Sequence, residues 1–304
     1  MALYTTLLTQ ILITVISVVG VFVFTGMTGM FSLGQAAFMA IGAYACGILV
    51  KMAGFPFPLA IATAVIIAIL VGFLVGLPTV RLRRDYIALV TLGFGEAITA
   101  LLNRMTPLTG GASGLIVPKK TTLPLVLISA AVAVALAALF KKSKYGRQCI
   151  AIRSDELAAK AMGINVPKVK MIAFLFSVAV TAYSGALHVF FTSYADPTQY
   201  GWKKSADWVI MVFFGSTGSI TGSVLAAFLL SGLPELLRFL LQYRGIFYAI
   251  LVLLIINFKP SGLLGDWELT PSNVVDLFRR IKKFFLRLAD KRKAKAANGE
   301  GGEE

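Results

Sequence analysis

Charge is scarce in this chain. Of its 304 residues only 14% are charged, against 58% hydrophobic, and the mean hydropathy is +0.83. Soluble domains carry about 25% charged residues, so the deficit excludes an ordinary water-solvated fold and fits a chain solvated by lipid. Histidine is scarcer still: His188 stands alone, which excludes a multi-histidine metal site. Cys46 lies in an apolar segment and Cys149 in a basic loop. They lack metal-ligand spacing, and no disulfide between them is expected. There is no G-x-x-x-x-G-K-[ST] phosphate loop, and no nucleophile–base or carboxylate pair at catalytic spacing. The chain is therefore expected to be no enzyme and to need no cofactor or metal. The first apolar run, Leu7 to Phe24, has no basic residues before it and is long for a signal peptide, so it reads as a retained span.

What the sequence does have is a series of long apolar runs. A helix needs about 20 apolar residues to cross the hydrocarbon core. The candidates are 7–25, 31–50, 58–77, 86–103, 122–140, 170–191, 206–233 and 245–258. Since backbone polar groups in lipid must be satisfied internally, the expected fold is an all-α integral membrane bundle of about 8–10 transmembrane segments, some broken.

The formal net charge is +15. The basic residues sit between and after the apolar runs, which points to cytoplasmic loops and anionic lipid rather than nucleic acid. Three clusters stand out: Arg81, Arg83 and Arg84; Lys141 to Lys170; and Arg279 to Lys295. All three are expected on the cytoplasmic side. Three simple crossings after the second cluster would leave the third outside. The segment 206–233, interrupted by Gly215, Gly218 and Gly222, is therefore expected to be two helical pieces joined at depth. A matching interruption, TGMTGMFSLG at 25–34, precedes the run at 31–50. Paired breaks predict an internal pseudo-repeat with the solute route at its interface, or simply glycine at close helix contacts.

The longest loop between spans, 141–170, carries a helix signature of its own. Ser154 or Asp155 can N-cap, Asp155 and Glu156 suit the positive end, and Gly163 suits a left-handed stop. About two turns of helix are not stable alone in water, so something packs against them. Either the chain's own loops do, or Ala158, Ala159 and Ala161 let the helix enter a partner's groove.

This loop, with its Gly-Arg, Ala-Ile-Arg, Asp-Glu, Ala-Ala and Ala-Met-Gly-Ile-Asn series, resembles the cytoplasmic coupling loop of ABC importer permeases. With GMFSLGQAAFMAIGAYACG at 29–47, RDYIALVTLGFGEAI at 84–98 and LTGGASGL at 108–115, the chain looks most like permeases for branched-chain amino acids, over roughly residues 20–265. The resemblance implies a permease domain (1–268) in a bacterial or archaeal cell (inner) membrane. It also implies separate ATP-hydrolysing subunits, a second permease (a paralogue as a rule) and an extracytoplasmic solute-binding protein. It further implies that Arg153, Asp155, Glu156, Ala159, Gly163 and Asn165 couple to the ATPase. The pattern departs after residue 200, where FFGSTGSITGS replaces a doubled glycine and Lys203, Lys204 and Asp207 charge the lead-in.

Polar groups within the spans are the remaining candidates. Glu96 stands inside 86–103, where a carboxylate costs about 2.5–3.5 kcal/mol. It lines a pathway or stabilises the bundle. Ser32 and Gln35 flank the N-terminal break. Ser177, Thr181, Ser184 and His188 form one polar stripe on 170–191, facing either a wet route or another helix. His188 alone reads better as a satisfied interface residue. Ser32, Gln35, Glu96, Ser177, Thr181 and Ser184 are thus the expected translocation pathway. The tail should form a basic amphipathic helix at the lipid interface over 269–289, then run disordered over 290–304. Two functions compete: an ATP-driven importer's permease, and a transporter driven by an ion gradient through Glu96 or His188.

Overall fold

The computed structural model describes residues 2–236, then 249–250, 253, 257–258, 262–265 and 267–268. Most of the 245–258 run, the tail helix over 269–289 and the tail over 290–304 lie outside the described residues. The chain divides into one unit over Met1–Asp266 and another over Trp267–Glu304.

The first unit is a helical bundle, with five described helices long and apolar enough to cross a membrane. It is an all-α membrane protein. Helix α1 (Ala2–Val21) runs on into a π-helical turn, Phe22–Gly26. An irregular stretch leads to α2 (Gln35–Lys51), then α3 (Phe57–Thr79), α4 (Arg84–Arg104) and the short α5 (Thr106–Thr109). A two-residue strand β1 (Leu115–Ile116) precedes α6 (Leu123–Lys142), α7 (Lys144–Ser154), α8 (Glu156–Ala161) and α9 (Val166–Thr192). Strand β2 (Tyr194–Ala195) pairs antiparallel with β1, with Leu115 opposite Ala195, and ties the 110–121 loop to the end of α9. Helices α10 (Trp202–Gly215) and α11 (Ile220–Leu236) complete the described core.

Packing follows membrane rules. On α3 the buried positions Ala60, Ala64, Ala68, Gly72 and Gly76 recur every fourth residue, with Thr79 buried at the end of the helix. Ile66, Leu70, Phe73 and Leu74 point outward. Small residues inward let backbones approach; large ones outward meet lipid, which is as apolar as they are. The closest crossing is α2 on α9. A Cβ built on Gly42 would lie 2.1 Å from the Ala182 carbonyl oxygen, and one on Gly185 2.0 Å from that of Met39. Only glycine fits either place.

These contacts also set direction and depth. Residues 35 and 39 of α2 lie beside 181 and 185 of α9, so the two helices run parallel. Gly20 of α1 packs on Val180 and Ser17 on Ser184, so α1 runs opposite. Thr181 is close to the midpoint of α9, a 27-residue helix about 40 Å long. Helix α2 therefore begins halfway through the bundle, at Gln35 rather than at residue 31. The 206–233 run is likewise two helices, joined by residues 216–219.

Candidate functional site

The 141–170 loop holds two helices where the sequence reading expects one. Ser143 N-caps α7, its Oγ accepting from the Gly146 N–H at 3.2 Å. Gly146, Cys149 and Ile152 form its buried stripe. Repeating every third residue on a strongly polar helix, that stripe was the missed signal. Burial pushes the Cys149 thiol up to about 12.

The Asp155 Oδ1 caps α8, accepting from the Leu157 and Ala158 N–H groups at 2.8 and 3.0 Å. Gly163 takes φ +82° and ends the turn, and Asn165 caps α9 by accepting from the Lys168 N–H. Lys170, buried in the first turns of α9, donates to Glu156 Oε1 at 2.7 Å. Five of the six expected coupling residues thus shape this junction or cap its helices. Ala159 differs: it is only 6% exposed and faces the chain's own core, because α8 lies flat on the start of α9. The large apolar side chains that stand free are Leu157 and Met162, 80% and 84% exposed, with Ala158 and Ala161 open beside them. An open groove of about 980 Å³ runs beside them between residues 80–84 and 163–167.

Arg153 joins this junction to both helix breaks. Its Nη1 donates to the Gly26 carbonyl at the end of the π-helical turn and to the Thr217 carbonyl between α10 and α11, each at 2.7 Å. Arg84 at the start of α4 in turn caps α7, its Nη2 donating to the Ile152 and Arg153 carbonyls at 2.7 and 3.0 Å. Lys141, at the end of α6, donates to the Gly218 carbonyl. Cations here satisfy carbonyls that helix ends leave without partners. The ends of five helical elements therefore meet around two guanidinium groups and one ammonium. Sequence reading found Arg153 but not its targets, since carbonyl oxygens have no residue type.

The turn it grips is strained. Ser216 has φ +139°, a region that favours glycine. It is held by the Gly218 N–H donating to its Oγ at 3.0 Å and by the Ser223 hydroxyl donating to its carbonyl at 3.3 Å. The Phe214 and Gly215 carbonyls at the end of α10 accept from the Leu263 and Leu264 N–H groups.

The second group of expected residues gathers at the start of α2. Gln35 is fully buried, its Oε1 accepting from Thr181 Oγ1 at 3.4 Å. Gln35 Nε2, Ser32 Oγ, Ser177 Oγ and Thr25 Oγ1 are buried with no hydrogen-bond partner among the described residues. The break is pinned from outside: the Ala36 N–H donates to Ser205 Oγ at 2.8 Å and the Leu33 N–H to Thr91 Oγ1 at 3.1 Å. Ser184 belongs elsewhere, bonded at 2.7 Å to Ser17 of α1. His188 Nδ1 lies 3.3 Å from the Tyr200 hydroxyl, as an interface residue should.

Glu96 does not join them. Gly95 packs on Gly34, and Glu96, about 100° further round α4, is exposed. There Tyr86, Leu89, Gly93 and Ala97 continue the same open stripe. The carboxylate is thus outside the buried cluster of this chain.

The family model described as "Branched-chain amino acid transport system / permease component" matches residues 3–257. The high-affinity branched-chain amino acid transport system permease protein LivM of Salmonella typhimurium is 31% identical over 291 residues, covering 84% of this chain and 68% of its own. LivM of Escherichia coli aligns equally, and a probable branched-chain amino acid transport permease of Methanocaldococcus jannaschii is 25% identical over 67% of this chain and 68% of its own. LivH of Escherichia coli is 28% identical over 44% of each chain. No solved structure matches. The chain, a multi-pass helical membrane protein with its helix breaks latched to one basic junction, belongs to the branched-chain amino acid transport permease family.

Proposed function

We propose that this chain is the permease subunit of an ATP-driven importer in a bacterial or archaeal cell (inner) membrane, passing branched-chain amino acids or a similar small solute by alternating access. The relatives named LivM and LivH are described as permease proteins of one kind of transport system, which supports a second, paralogous permease beside this one. An extracytoplasmic protein would deliver the solute. ATP would be hydrolysed by partner chains seated on the basic end, which the positive-inside rule makes cytoplasmic.

The observation that carries this reading is the double grip of Arg153. A partner that moves α8 through Leu157 and Met162 also moves α7. The Arg153 guanidinium then pulls on the ends of two separate helix breaks at once. One break leads to the first turn of α2, halfway across the bundle, where Gln35 Nε2, Ser32 Oγ and, from α9, Ser177 Oγ are buried without a partner among the described residues. Broken helices at mid-depth are where transporters bind solute, because free helix ends and polar side chains are available there. Glu96 would serve differently, on a face of α4 that meets the second permease. The same face supports no ion-driven route through Glu96 and the buried cluster together.

The test is a complex assembled from this chain, its partner permease and the ATPase in proteoliposomes. Met162→Cys should cross-link to the ATPase subunit. Arg153→Met should lower solute uptake by about tenfold or more while basal ATP hydrolysis persists. Full uptake with Arg153→Met, or uptake that needs no ATP but a proton gradient, sinks the reading.

A further inference from the structure

Helices α3 and α6 turn large apolar side chains outward, among them Leu70, Phe73 and Leu74 on α3 and Ile128, Val132 and Leu136 on α6. Helix α4 departs from that pattern. Its open stripe begins with Leu89 and Val90 near the basic junction, then continues through Gly93, Glu96, Ala97 and Ala100. A Cβ on Gly93 would meet no atom within 4 Å. Glu96 has no hydrogen bond or ion pair among the described residues. Its depth is set by its neighbour: Gly95 packs on Gly34, the residue before α2 starts halfway through the bundle. A carboxylate and a shallow patch of small residues thus lie open at the middle of a span. Small residues let another helix come close, and a carboxylate at that depth needs a donor beside it.

We propose that this face docks on a helix of the paralogous permease that offers Glu96 a basic side chain, and that Glu96 rejects a second copy of this chain. The pairing deepens the permease reading above and rests on it. A second copy fails for a geometric reason. Two copies inserted the same way are related by an axis along the membrane normal, so their α4 helices would run parallel with like residues at like depth. At about 100° per residue, Glu96 lies about 60° to one side of Gly93 and Ala97 about 40° to the other. Packed at Gly93, the carboxylate would meet Ala97 and Leu101 of the other copy, which offer it no side-chain donor. Packed at Glu96, it would meet its own twin, with little water to screen the two. A paralogue with a cation at the level of Ala97 removes both penalties, so one side chain sets the choice of partner.

The experiment reconstitutes this chain with its partner permease in lipid nanodiscs and counts the chains per particle by native mass spectrometry. One copy of each is expected. A photo-cross-linking phenylalanine analogue in place of Ala97 should join the two permeases, within a turn of a Lys or Arg of the partner. Glu96→Leu should lower the yield of mixed particles about tenfold and raise that of particles with two copies of this chain about as much. Glu96→Asp, which keeps the charge, should retain the mixed form. Melting of the isolated chain should be the same with Glu96→Leu, because the side chain touches nothing there; if it falls, Glu96→Asp and the cross-link still decide. Mixed particles undiminished by Glu96→Leu, or two-copy particles as common as mixed ones in the unaltered chain, overturn the proposal. So does a Glu96→Cys thiol that a membrane-impermeant reagent modifies in the paired state, since the face would then line water. ATP-driven uptake separates the two ideas. Uptake with pairing indifferent to Glu96 overturns this face and spares the permease reading; charge-dependent pairing without ATP-driven uptake does the reverse.

Discussion

At the scale of single residues, geometry separates glycines that look alike in sequence. Gly185 would place a Cβ 2.0 Å from the Met39 carbonyl, whereas a Cβ on Gly93 would meet nothing within 4 Å. Gly185→Val should therefore destabilise by about 1–3 kcal/mol or more, read as a lower melting temperature in detergent. Gly93→Val in the isolated chain should leave that temperature alone. Cys149 makes a second contrast. Burial holds its thiol near 12, so the reactive thiolate grows with pH but stays rare below that value. In a Cys46→Ala background, maleimide labelling should remain slight from pH 7 to 9, while a Met162→Cys thiol reacts readily at pH 7. Prompt labelling of Cys149 at neutral pH would contradict its packing. None of this is legible in sequence, because glycine and cysteine carry no mark of what stands opposite them.

At the scale of elements, caps were the legible part. Asp155 and Gly163 announce a short helix between a cap and a stop, and the structure places each in that role, while the Asn165 cap of α9 is an addition of the structure. The pairing of Glu156 with Lys170 was not legible, since fourteen residues separate them and only the fold-back of α8 onto α9 brings them within 2.7 Å. Glu156→Ala leaves a buried ammonium without its partner and should cost about 1–2 kcal/mol, less than a fully buried pair because Glu156 is partly open to water. Adding Lys170→Met should recover much of the loss, measured by thermal melting of the single and double variants. If the double variant is no better than the single, the pair is not what holds α8 down. The break inside 206–233 was legible from charge parity, and the break before α2 from its glycines, though not its end at Gln35. The independent helix α7 was not read, because its buried stripe of Gly146, Cys149 and Ile152 is short, includes a glycine and lies among cations.

At the scale of the whole molecule, direction is the property to test. The antiparallel run of α1 against α9 places the chain's beginning and the β1–β2 pairing at one end and the Arg84–Arg153 junction at the other. In intact cells, a membrane-impermeant thiol reagent should label Ser113→Cys at once and Leu157→Cys only after permeabilisation. The reverse pattern would invert the molecule and remove the ATPase from the proposed docking face. Sequence made the class of fold and the basic end readable through hydropathy and Lys and Arg placement. It did not show that Glu96, next in line to the Gly95 that packs on Gly34, is exposed on α4 and apart from the buried polar cluster.

The grip of Arg153 has one more consequence. It recognises oxygen atoms of the main chain, which every amino acid supplies, so position 217 is free to change identity without loosening it. Across relatives, such a joint would leave an invariant cation facing drifting neighbours, with no paired substitutions to betray the contact. Methods that look for correlated change would pass over the very point where the two helix breaks are tied.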